Sequence, residues 1–265
     1  MTKPDQHCLK NITFSEFEAV KCANEVILLP FGSQEEQGPA PMGDWMLADV
    51  IADRAAREAG AFVAPTVPFG YAEYFRAVPG GIHLRAKTFV LLLTDILDNF
   101  LDHGLNKLLI LNGHSGNHPL IDQVIRKQRE ERGVAIPCIN LWRSVPTRLW
   151  QELHPDVGQG ALGHGGDPIT SVYLHLFPEL ISGDALVPPV AKREFWGLPT
   201  SGLGAVKFND VDVNLPLNVT DCCDDGIAGG DPSRSTAEIG GRIVEHLVNH
   251  SVAFIHHLRT VDTIV

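Results

Sequence analysis

Residues 107–133 read KLLILNGHSGNHPLIDQVIRKQREERG, and the fold is decided in this stretch. KLLILNG (107–113) is a short apolar run stopped by glycine, the pattern of a buried strand. HPLIDQVIRKQREERG (118–133) reads as a helix. Between them, LNGHSGNH (111–118) sets two imidazoles among glycines and asparagines.

Working outward, the same alternation repeats. EVILLPFG (25–32) is a strand stopped by proline and glycine, and residues 45–60 space apolar groups as a helix does, with a terminal glycine. AFVAPTVPFG (61–70) is a second strand running into a loop. Residues 88–104 form an amphipathic helix with Thr88 as N-cap and Gly104 just past its end. VAIPCINLW (134–142) is a fourth strand. Strand and helix alternating at this spacing predict an α/β fold, with a parallel sheet, right-handed crossovers and helices on both faces. Residues 143–235, rich in Gly, Pro and Asp, are expected to hold loops, short helices and extra strands, and a last helix is expected over 235–258. No repeat or long linker divides the chain, so a single domain over 1–265 is expected.

Composition narrows the function. The 265 residues are 44% hydrophobic and carry a net charge of −11. Without a basic run, a nucleic-acid partner is not expected. No apolar run reaches membrane-spanning length. The five cysteines, with no CxxC spacing, do not read as a disulfide framework, and MTKPDQHCLK lacks the apolar core of a signal peptide. These features predict a cytoplasmic protein without a membrane partner.

Ligands of open parallel sheets bind outside the carboxyl ends of the strands. Three polar clusters fall at such ends: GSQEEQGPAPMGDW, GYAEYFRAVPGG and NGHSGNH. Glu35, Glu36, Gln37 and Asp44 come from the first, His114 and His118 from the third. GALGHGGDPITS (160–171) adds His164 and Asp167. Mixed carboxylate and imidazole donors suit Zn, Mn or Fe(II). Bland readings stand beside this one: Asp44 is also a natural N-cap, His118 also suits a helix start, and Trp142 also suits a core. No GxSxG elbow, GxGxxG or P-loop occurs, so neither a serine nucleophile nor a nucleotide cofactor has a signal.

With these residues in place, the chain resembles the creatininase (creatinine amidohydrolase) family. The matching pieces are LPFGSQEEQGP (29–39) with Asp44 and Ala48, VPGGIHLRAKTFVLLLTDIL (78–97), GLNKLLILNGHSGN (104–117), GHGGDPITS (163–171) and GIAGGDPSRSTAEIGGRI (226–243). The resemblance implies a three-layer α/β/α fold with a mostly parallel sheet. It also implies a metal-dependent hydrolase of cyclic or other non-peptide amides, acting on a small molecule and assembled as a homo-oligomer, often a hexamer. By the same resemblance Glu35, Asp44 and His114 are metal ligands, with Asp44 able to bridge two ions. His164 falls in the active-site HAGE-like segment, where Asp167 replaces the glutamate. Gln37 stands where the family has a histidine ligand, Tyr74-Phe75 stands where it has Glu-His, and Ile169 replaces a second glutamate.

The expectation is attack by metal-bound hydroxide on an amide carbonyl, with Zn or Mn (Fe as a further option) and one ion per chain in preference to two. His164 would serve the leaving nitrogen and Glu36 is a spare general base. Asp167 would ligate a second ion or orient His164. Tyr74, Trp142 and His118 are candidate substrate contacts. A lactonase, or a ligand-binding member without turnover, are the alternatives.

Overall fold

A computed structural model describes residues 5–190 and 194–265; residues 1–4 of the segment read for a leader lie outside these. Four parallel strands form the central sheet: β1 (Ile27–Phe31), β2 (Phe62–Val63), β3 (Leu108–Asn112) and β4 (Cys138–Asn140). They lie in the order β2-β1-β3-β4. Register pairs Leu28 with Val63 on one side and with Leu109 on the other, while Leu111 pairs with Ile139. The strands are shorter than the apolar runs suggest. Pro65 and Pro68 withhold ladder donors, so pairing of the second run stops at Val63 and returns only as one bridge from Val67 to Phe31.

Helices cover both faces, because alternate side chains of each strand point to opposite sides. Leu28, Leu109 and Leu111 bury against α2 (Asp44–Ala59) and α8 (Ala237–Thr260), with Trp150 of α5 (Thr147–Leu153) and Tyr173 of α6 (Ile169–Leu176) in the same cluster. Ile27, Leu29 and Ile110 bury against α3 (Ala86–Asp102), α4 (His118–Arg132) and α1 (Phe14–Ala23). Each such aliphatic side chain contributes about 1.5–3 kcal/mol. The three-layer α/β/α expectation therefore holds.

Two helix starts differ from the sequence reading. The N-cap of α3 is Arg85, in extended backbone, and Thr88 is already helical. Helix α1 was not expected at all. Its signal was present: Thr13 accepts from the Glu16 N–H while the Glu16 carboxylate accepts from the Thr13 N–H, a capping box. Glycines Gly60 and Gly133, in the left-handed region, close α2 and α4 where the sequence placed their ends.

Residues 194–214 form the extra strands: an antiparallel meander of β5 (Glu194–Phe195), β6 (Leu198–Ser201), β7 (Ala205–Phe208) and β8 (Val211–Asn214). With the short α7 (Val219–Cys222), its Val206, Leu198 and Val219 pack on Ala72 and Phe75, in the turn that follows β2. The meander thus walls the sheet's carboxyl edge.

Candidate metal centre and active site

Successive connections leave β1 and β3 in opposite directions, so a crevice opens between their carboxyl ends. Glu35 follows β1, Asp44 opens α2 and His114 follows β3; all three meet in this crevice and are buried. Gly32 makes the approach possible, since a Cβ there would collide with the backbone of Trp45 and the Asp44 carboxylate. The two asparagines of LNGHSGNH fasten the turn. Asn117 donates to Gly32 O at 3.2 Å and accepts from Tyr71 N–H at 2.8 Å, while Asn112 donates to Asn140 at 2.9 Å and accepts from His114 N–H at 3.2 Å.

His114 Nδ1 lies 3.0 Å from both Glu35 Oε1 and Asp44 Oδ2. Its Nε2 lies 3.0 Å from Tyr71 O. A carbonyl only accepts, so the Nε2 hydrogen is engaged there and Nδ1 is left facing two carboxylate oxygens, bridged by a proton or by a cation. That grouping is repulsive until positive charge joins it. Burial opposes a charged His114 imidazole, but Glu35, Tyr74 and Asp44 outweigh it and hold its pKa well above the ordinary value. Burial pushes Asp44 up to about 6, against the pull of His114. Ser33 caps Asp44 through its N–H at 2.6 Å and its hydroxyl at 3.1 Å. Glu35 Oε2 is buried and has no hydrogen-bond partner. The donor atoms of Glu35, Asp44 and His114 all lie within 4.8 Å of one another. Two carboxylates, an imidazole aimed through Nδ1 and an orphaned oxygen fit a divalent cation, and the Nε2–H to carbonyl bond is the usual support of a ligating histidine.

Asp44 is not an N-cap. Gly43 occupies that position, and the Asp44 carboxylate turns inward. Gln37 is buried at the cluster, where its Nε2 donates to Glu35 Oε1 at 3.0 Å. Tyr74 stands 3.4 Å from His114 Nε2, with its hydroxyl pushed up to about 12 by burial.

The cluster lies in the wall of a cavity of about 830 Å³, which Trp142, Tyr74 and His164 also line. His164 is held by backbone pairing with Ala228 and by Phe75, whose ring centroid is 4.5 Å away. Its Nε2 meets Glu36 Oε2 at 3.1 Å, and the other Glu36 oxygen accepts from the Gly38 N–H. Gly226 leaves the space that this carboxylate fills.

Asp167 is not brought to His164. Its carboxylate accepts from His154 at 2.8 Å, Ser171 at 2.6 Å and Ser235 at 2.5 Å. With both oxygens held by structural donors, it does not meet His164 and is not among the converged cation donors, although it borders the cavity. His118 caps no ligand site either. It opens α4, pairs with Asn140 at 3.1 Å and stands outside the cavity lining. The sequence reading missed Ser33 and the Tyr71 carbonyl, both visible only as neighbours of the expected ligands. It also missed His83 in VPGGIHL, which burial holds below its ordinary pKa beside the charge of Glu35.

Comparison with known proteins agrees with this geometry. The profile of the creatininase (creatinine amidohydrolase) family matches residues 10–255. The chain is 30% identical to a creatinine amidohydrolase of Pseudomonas putida over 199 residues, 67% of this chain and 75% of that protein. It is 27% identical to a mycofactocin precursor peptide peptidase of Mycolicibacterium smegmatis over 84% of this chain and 81% of that one. Among solved structures, a manganese creatininase superposes with a TM-score of 0.76 at 26% identity, covering 94% of this chain and 97% of that one. A zinc–zinc form of a creatininase variant gives 0.75 at 26% identity, over 95% and 97%.

A parallel α/β sheet with a carboxylate–imidazole cation site at its switch point, together with these relatives, defines a metal-dependent hydrolase. Within that class the chain belongs to the creatininase family. Among the described residues, no helix is long and apolar enough to cross a membrane.

Proposed function

We propose that the chain, acting as one domain over 1–265, opens a cyclic amide or cleaves another non-peptide C–N bond of a small molecule. One observation carries the reading: the cation-demanding Glu35–Asp44–His114 cluster shares a cavity with the separate imidazole of His164, which Glu36 holds from outside the lining. Glu35, Asp44 and His114 would hold a divalent ion, Zn or Mn, with Fe(II) compatible with the same donors. Such an ion, when bound, supplies an acidified water and an electrophile for the substrate carbonyl.

The remaining work falls to the chain. His164 moves the proton to the leaving nitrogen through Nδ1, the ring nitrogen that Glu36 does not hold, while Glu36, itself fixed by the Gly38 N–H, accepts from Nε2 and balances the imidazolium charge. Tyr74 and Trp142 shape the space for the substrate. The geometry supports one ion in this cavity in preference to two. Gln37 offers a carboxamide already engaged with Glu35, and Glu35–Asp44–His114 is the one convergent group of His, Cys and acidic donors at the cavity among the described residues. A cytoplasmic homo-oligomer, hexameric by family likeness, belongs to the same reading. The exposed Phe208, Val211 and Val213 of the meander support the assembly part of it.

A matched pair of rings, one lactam and one lactone, offered to metal-loaded protein tests the assignment. Opening of the lactam is the expected result. Opening of the lactone alone would make the chain an esterase. Binding of amides without turnover at full metal content would make it a ligand-binding member of the family.

A further inference from the structure

A second cluster of metal-type donors lies away from the cavity, where the N-terminal segment meets α2. We propose that His7, Cys8 and Asp53 form a separate zinc site that clips this segment to the edge of the sheet. His7 Nε2 is 2.7 Å from Asp53 Oδ1, and Cys8 Sγ is 3.4 Å from each of these two atoms. The three donor atoms converge as closely as those of the cavity cluster. Tetrahedral zinc with one sulfur, one nitrogen and one oxygen ligand spaces its donors by about 3.4–3.6 Å, from bond lengths of roughly 2.0–2.3 Å. Both sulfur distances already match; only the His7–Asp53 contact must open, by about 0.7 Å.

A small void of about 30 Å³ beside the cluster borders Cys8, Asp53, Asp49 and Lys10, but not His7. That is room for one water beside the three donors, able to serve as fourth ligand. Asp53 is free to turn one oxygen inward because Arg57 engages the other, Oδ2, at 3.3 Å. The His7 and Asp53 side chains are 13% and 35% exposed, which leaves a path for entry.

A nucleophilic Cys–His–Asp arrangement is excluded by geometry. One nitrogen, Nε2, faces both the sulfur and the carboxylate, so the histidine cannot take a proton from one side while the other orients it. Burial also pushes the thiol up to about 11. A structural role fits the surroundings. Val63 N–H donates to His7 O at 2.9 Å, and Cys8 bridges Val63 in parallel, so residues 7–8 extend the sheet past its short edge strand β2. An ion would fasten that cover to α2. His7 and Cys8 also precede the span matched by the family profile, which begins at residue 10.

The donor sets separate the two sites. Thiolate ligation selects zinc-like ions, whereas the oxygen-rich cavity also suits Mn²⁺. Cobalt(II) reports the difference, because thiolate ligation adds a near-ultraviolet charge-transfer band. The chain is expected to bind two Co²⁺ and show this band. Cys8→Ser and His7→Ala should each lose one equivalent and the band, yet still take up one Mn²⁺ in the cavity, which certifies their fold. His114→Ala should keep the band. A parent protein without the band, or Cys8→Ser binding as much Co²⁺ as the parent, would overturn the proposal. Loss of metal confined to His114→Ala bears on the cavity alone, so the two assignments fail separately.

Discussion

Two buried histidine–carboxylate pairs border the same cavity, and they differ in what is left over. At His154–Asp167 the carboxylate accepts from an imidazole and two serines, so each of its oxygens has a partner. At His114–Glu35–Asp44 one imidazole nitrogen faces two carboxylates, and one Glu35 oxygen has no partner. Burial is equal in the two places. A satisfied buried pair is architecture, whereas an unsatisfied one requires a ligand. In the first, Asp167 ties α5, α6 and the segment leading into α8 behind the loop that carries His164; the second has the donor set of the cation site proposed above.

Removing one member of each pair should therefore break different things. His114→Ala carries the largest expected effect. Bound metal in the cavity and hydrolysis should disappear together, measured by elemental analysis beside turnover, and full cavity occupancy in this variant would refute the ligand assignment.

His164→Asn comes next. Loss of a general acid typically costs ~10²–10⁴-fold in rate, and here the cavity metal should stay at its parent level. If the metal were lost, His164 would be a ligand; an unchanged rate would remove it from the reaction.

Asp167→Asn should spare metal binding and act on stability. Replacing a buried, charged acceptor costs about 1.5–3 kcal/mol, a fall of several degrees in Tm for a chain of this size. A stable variant depleted of metal would contradict the distinction drawn between the pairs.

The smallest effect is on protons. In the metal-free chain, burial raises Asp44 from 3.8 to about 6, and the surrounding carboxylates hold His114 well above 6.5. Both folded-state values are raised. The stability these groups lend the metal-free protein is therefore fully present below the unfolded values and is lost as pH rises, for Asp44 between 3.8 and about 6 and for His114 from 6.5 upward. A cation must displace the His114 proton, so cavity affinity should climb with pH through neutrality, with about one proton released per ion. Calorimetric titration in buffers of different ionisation heat reads this directly. At Asp167–His154, where no ion enters, no such coupling is expected.

The sequence alone determined the alternation of strands and helices, the ends of α2 and α4 at Gly60 and Gly133, and the three clusters at the strand ends. These are local signals: a period of two or 3.6, a glycine stop, a polar run after an apolar one. Strand ends in a parallel sheet fall on one edge, which brought Glu35, Glu36, Gln37, Asp44, His114 and His118 forward together, and the family resemblance singled out Glu35, Asp44 and His114 among them. Only the tertiary structure decided which carboxylate each histidine meets. Glu36 and His164 lie 128 residues apart, and Ser235 and Asp167 lie 68 apart. No periodicity spans such distances. Asp167 and Glu36 are the same kind of residue to a sequence reader, yet Glu36 takes the place beside His164 expected of Asp167, because α5, α6 and the entry to α8 converge on Asp167 while a glycine at 226 leaves room for Glu36.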